Sequence, residues 1–165
     1  MGRTLLLATL AAAMFAVPAA FAGDTPGDGT LSVKRGKGLV KLYFKGTAIG
    51  RINGKIQVRD FKPFDDADPQ ILGCKGRLRH SPVLVGVSYC EGRNVSFRIL
   101  DGRYNVRLQG VGIFLSAVGY GSVTVDGRGD QGVNDGVMAL NDDPYQSLPD
   151  TSVTYLLEAP PQPGG

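Results

Sequence analysis

Apolar and polar residues alternate with a period of two along most of the chain, and that alternation predicts short β-strands. Val95, Phe97 and Ile99 alternate with Ser96 and Arg98, and Tyr104, Val106 and Leu108 alternate with Arg103, Asn105 and Arg107. Between the two runs stands Asp101-Gly102, a two-residue combination that tolerates the positive φ of a hairpin turn. Ile113 and Leu115 resume the alternation, Gly119 and Gly121 allow another reversal, and Val123 and Val125 begin one more strand. The expectation is an antiparallel meander over residues 94–126.

Upstream, Val40, Leu42 and Phe44 alternate with Lys41, Tyr43 and Lys45, after a first strand at Thr30 to Val33. Ala48 to Ile52, Asn53-Gly54 and Lys55 to Asp60 read as a second hairpin, since Asn-Gly is the preferred type I′ turn. That hairpin puts Ile49, Ile56 and Val58 on one face and Lys55, Gln57 and Arg59 on the other. Phe61 to Gln70 carries two prolines and three aspartates and reads as a loop. Extended structure is expected again at Ile71 to Gly76, at Val83 to Cys90 with Val83, Val85 and Val87 alternating, at Val137 to Leu140, and at Ser152 to Glu158. A short echo links Gly46-Thr47-Ala48-Ile49-Gly50 to Ser116-Ala117-Val118-Gly119. It is too short to establish a duplicated unit.

These elements predict an all-β fold: one antiparallel β-sandwich or flattened β-barrel of short strands, with a short β-solenoid as the alternative. Val40, Leu42, Phe44, Ile56, Val58, Phe97, Ile99, Tyr104, Val106 and Leu108 are the expected core. The 24 glycines and the absence of Trp fit short strands and turns rather than helices.

Residues 1–22 read as a signal peptide. Arg3 supplies the positive start, Leu5 to Val17 the apolar stretch, and Ala20-Phe21-Ala22 the small-x-small cleavage site. The organisation expected is thus a signal peptide (1–22), a leader (23–29), one domain (30–159) and a tail (160–165), with no transmembrane segment in the mature chain. Its localisation is expected to be extracytoplasmic: periplasm, cell envelope or secreted.

Net charge is only +3 over 165 residues, yet its distribution is uneven. Between Lys34 and Arg107 stand 16 basic and six acidic residues, and after Arg107 a single arginine faces six aspartates and Glu158. The hairpin register across Asp101-Gly102 pairs Arg98 with Asn105 and Ser96 with Arg107, which places Arg98, Arg103 and Arg107 on one face. With Lys55 and Arg59 these residues form a cationic plate, suited to anionic envelope polymers or a membrane surface. Export disfavours nucleic acid as a partner.

Cys74 and Cys90 are the only cysteines, and in an exported chain they are expected to form a disulfide. The competing use of Cys90 is as a nucleophile with His80 as base. Exported cysteine transpeptidases carry a Ser-His-Gly-Cys run; here Ser88-Tyr89-Cys90 lacks the histidine and the glycine. Cys74, His80 and Cys90 lack the fourth ligand and paired spacing of structural zinc, and the single histidine excludes a blue-copper set. Asp126, Asp130, Asn134 and Asp135 supply oxygen ligands in a Gly-rich loop, a candidate calcium site without the EF-hand spacing. Paired carboxylates also occur at Asp65, Asp66 and Asp68.

The functional expectation is therefore an exported, non-catalytic binding or structural module, with no cofactor. The alternative is an exported hydrolase or transpeptidase that uses loop carboxylates or Cys90.

Overall fold

The computed structural model describes residues 27–65, 68–129 and 134–159. The signal-peptide expectation, the tail, Asp66 and Asp130 lie outside them. Among the described residues there is no helix, and seven strands form one antiparallel sheet. They are β1 (Gly29–Asp60), β2 (Gln70–Leu72), β3 (Arg79–His80), β4 (Val87–Asp126), β5 (Val137–Leu140), β6 (Gln146–Ser147) and β7 (Val153–Leu157).

Two of these strands are exceptionally long, with 32 residues in β1 and 40 in β4, and they pair with each other twice. Leu108 of β4 lies between Val40 and Ile56 of β1, and Val106 lies between Leu42 and Val58. An antiparallel β1–β4 ribbon has therefore wound back beside itself, sixteen residues of β1 further on. Reading across the sheet gives Ser88, Val58, Val106, Leu42, Val123 and Tyr155 in one row. A second row, further along the same strands, holds Met138, Val33, Leu115, Gly50, Phe97 and Ile71.

Between these two sets of rows stand two rows made only of glycine. Gly92, Gly54, Gly110 and Gly38 are successive ladder partners, and so are Gly102, Gly46, Gly119 and Gly29. At Gly54 the backbone has φ 150° and at Gly46 φ 151°, values that L side chains rarely adopt. The chains also approach too closely for a side chain, since a Cβ on Gly46 would lie 2.7 Å from the Gly119 Cα. Glycine inside a strand marks a bend or a close backbone approach, and here it does both. The glycine rows divide the sheet into two panels whose inward residues belong to a single buried cluster.

All ten expected core residues are buried, as are Ile113, Leu115, Val123 and Val125. Both expected hairpins are corrected. Neither Asn53-Gly54 nor Asp101-Gly102 is a turn; β1 and β4 run through them. Because no turn interrupts β1, strict alternation puts Ile49 opposite in sense to Ile56, and Ile49 is 51% exposed while Ile56 is 1% exposed. Alternation does slip where an extra residue enters β4: the partner register shifts by one between Gly46 and Ala48 and again between Ile52 and Gly54, the latter beside Asn94 at φ 55°. The expected strand at Val83 begins only at Val87, and Val83 and Val85 are exposed. Solenoid coils would stack in parallel, whereas every ladder here is antiparallel. The two echoing segments are ladder partners, with Ala48 opposite Ala117 and Gly46 opposite Gly119.

Candidate anion-binding site

In the first panel, which holds Leu42, Val58, Val106 and Val123, inward alternation forces the intervening residues outward, and many of these are basic. One outer row reads Arg79, Tyr89, Gln57, Arg107, Lys41, Thr124 and Thr154. Two neighbouring rows contribute Lys55 beside Gln109, and Arg59 beside Asn105. Arg107 sits directly opposite Lys41, and Arg103 directly opposite Lys45. Like charges directly opposite on a ladder are destabilising unless solvent, a neighbouring group or a ligand compensates them.

The disulfide adds to this face. Cys74 and Cys90 are bonded, and no described cysteine is free. With the Lys75 amide donating to the Glu91 carbonyl at 2.7 Å, the bond holds the start of the 74–90 loop against β4. The result is a basin of about 680 Å³ lined by Lys55, Lys75, Arg77, Arg79 and Arg107, with Tyr89, Gln57 and Gln109 between them. Among the described residues its one acidic lining residue is Glu91, 3.9 Å from Lys55, and both side chains are about two-thirds exposed. An exposed pair of this kind is worth little, and it leaves four cations of the basin facing one another. Beside the basin Arg59 stacks on Phe61, 4.8 Å from the ring centroid, and Phe61 meets Tyr43 edge-on.

Of the five residues expected to form the plate, Lys55, Arg59, Arg103 and Arg107 do share the outer face of one panel. Arg98 does not. With no turn at Asp101-Gly102, Arg98 pairs with Ile49 and Gln70 in the other panel, and Asn105 pairs with Tyr43 and Arg59. There it lines a largely apolar groove with Ile49, Leu72 and Phe114, where Arg51 lies 4.4 Å from the Phe114 ring. Lys41, Lys45, Lys75, Arg77 and Arg79 were missing from the expected plate. Their signal was available: Lys41 and Lys45 occupy the polar phase of their strand, and the residues after Cys74 follow wherever that cysteine is tied.

Of the expected calcium ligands, Asp126, Asn134 and Asp135 lie among the described residues. Asn134 Oδ1 accepts the Gly136 amide at 2.7 Å, and Asp135 Oδ2 accepts the amides of Arg128 and Gly129 at 2.7 and 3.0 Å. These oxygens hold backbone, Asp135 Oδ1 is buried without a hydrogen-bond partner among the described residues, and Asp126 lies in β4 opposite Leu39, with no cluster of three acidic residues gathered around Asp135 among the described residues.

Cys90, being bonded, offers no thiolate, which removes the cysteine arm of the hydrolase or transpeptidase reading. His80 Nδ1 and Ser88 Oγ are 3.0 Å apart because the two residues are ladder partners, and neither lines the basin. Among the described residues no helix is long and apolar enough to cross a membrane. No family model matches the chain, and no curated protein or solved structure matches it.

Proposed function

We propose that this chain is an exported, non-catalytic module that binds anionic envelope polymers on the basic face of its first panel. In this reading the sheet is a flattened sandwich, closed along the two glycine rows, which leaves the outer face of the first panel free for binding. The observation that carries it is the basin: among the described residues, five cations are gathered around one space against a single carboxylate. Two of them, Lys55 and Arg107, come from the paired strands, and three, Lys75, Arg77 and Arg79, come from the segment tied down at Cys74. A concave surface of one sign concentrates counter-ions far more than the net charge of the whole molecule does. Tyr89 and the glutamines Gln57 and Gln109 add hydrogen-bonding groups that suit sulfate, phosphate or carboxylate groups along a polymer.

The test is co-sedimentation of the purified protein with isolated cell envelope. Binding at low ionic strength that falls as salt approaches about 0.15 M, where the screening length is about 8 Å, supports the proposal. Absence of binding at low salt, or binding indifferent to salt, refutes it.

A further inference from the structure

We propose that Asp60, Asp65 and Asp68 form a calcium site at the end of β1, an inference that does not rest on the basin. Each of the three offers a carboxylate oxygen, and these oxygens all lie within 4.8 Å of one another. Calcium ligands sit at about 2.4 Å, so two of them around one ion are at most about 4.8 Å apart. The oxygens therefore already fall within the span one ion bridges.

Proximity of acids alone would mean little, and the decisive feature is Asp60. It is only 5% exposed, with Oδ1 accepting the Lys62 amide at 2.8 Å. Its Oδ2 is buried and has no hydrogen-bond partner among the described residues. Its own amide donates to the Gly86 carbonyl at 2.8 Å, which anchors this residue, and so its carboxylate, to the strand end. A buried carboxylate oxygen without a partner is costly, and two further acids beside it raise the cost. A divalent cation held by the three carboxylates offsets their mutual repulsion and supplies the buried Asp60 carboxylate with the counter-charge that its surroundings lack.

The donor set is oxygen only, which selects a hard cation over zinc or copper. Calcium fits better than magnesium, which demands a near-ideal octahedron at about 2.1 Å and gives up water reluctantly. Asp65 and Asp68 are exposed, so the ion enters from solvent and keeps water ligands. Affinity in the range typical of extracellular modules, a Kd of about 10⁻⁴ to 10⁻³ M, is expected.

Terbium, a luminescent calcium substitute, tests this directly. The chain has no Trp, and Tyr104 is the ladder partner of Asp60, so tyrosine excitation should sensitise a bound ion. Wild type should show terbium emission that calcium displaces, and its thermal midpoint should rise by a few degrees in millimolar calcium. The double variant Asp65→Asn/Asp68→Asn changes exposed side chains only and should lose both responses while remaining folded. Asp60→Asn should also lose both, with a midpoint in chelator no lower than that of wild type. The proposal is overturned if wild type gives neither response, if the double variant keeps them, or if magnesium at equal ionic strength raises the midpoint as much as calcium does.

Discussion

Gly54 and Gly110 are ladder partners, and a Cβ on Gly54 would lie 2.8 Å from the Gly110 Cα and would collide with the Gln109 carbonyl oxygen. Both obstacles are backbone and cannot rotate away. Gly54→Ala must therefore separate the two strands as well as adopt a φ of 150° with a side chain. We expect it to lower unfolding free energy by roughly 3 kcal/mol, read as a fall in the urea midpoint. A loss under about 0.5 kcal/mol would show that the glycine rows are not close contacts.

Ile56 and Ile49 test the continuity of β1. Ile56→Ala removes a buried side chain and should cost about 2–4 kcal/mol. Ile49→Ala, on the outer face, should cost well under 1 kcal/mol. Equal losses by chemical denaturation would restore a hairpin at Asn53-Gly54, in which the two residues share a face.

The Cys74–Cys90 bond spans a sequence separation of 16, and closing a loop of that size stabilises a fold by roughly 3 kcal/mol in the chain-entropy model. Mass measurement after alkylation without reductant should find no free thiol. The Cys74→Ser/Cys90→Ser protein should melt lower and should also bind polyanions more weakly, because Lys75, Arg77 and Arg79 lose their tether.

Burial, followed by the nearby charges of Asp60, Asp65, Asp68 and Asp101, pushes the Tyr104 phenol up to about 12 from its ordinary 10.0. The raised group is neutral in both folded and unfolded states below pH 10. Between pH 10 and about 12 the unfolded chain ionises first, so stability is lost as pH rises through that window. The loss should be on the order of 2 kcal/mol. Tyr104→Phe should remove that part of the alkaline loss, while giving up the hydrogen bond to the Leu100 carbonyl at 3.0 Å, worth about 1 kcal/mol. Denaturation of both proteins in chelator across this window is the measurement.

What was legible in the sequence follows from the physics of each signal. Alternation depends only on which side of a strand is dry, so Val40 through Phe44 and Tyr104 through Leu108 were placed correctly without knowledge of their partners. Asn53-Gly54 and Asp101-Gly102 were misread because glycine serves a hairpin turn and a bend within a long strand by the same freedom of φ. The eight-residue spacing of Gly38, Gly46 and Gly54 carried the distinction. Arg98 was misplaced as a direct consequence, since its assignment rested on a turn at Asp101-Gly102. The cysteine pairing was read correctly, but its effect on Lys75, Arg77 and Arg79 depends on where Cys90 lies in the sheet, which only the register determines.

The binding claim is tested most directly by titrating the protein with dextran sulfate, a soluble polyanion, at several salt concentrations. Wild type should bind at low ionic strength and weaken steadily with salt, and Arg77→Ser/Arg107→Ser, which removes two basin cations at exposed positions, should bind at least tenfold more weakly with an unchanged melting midpoint. Arg98→Ser, in the other panel, should bind as wild type does. If all three proteins bind alike, or wild type does not bind at low salt, the basic face is a solvated surface and not a binding site.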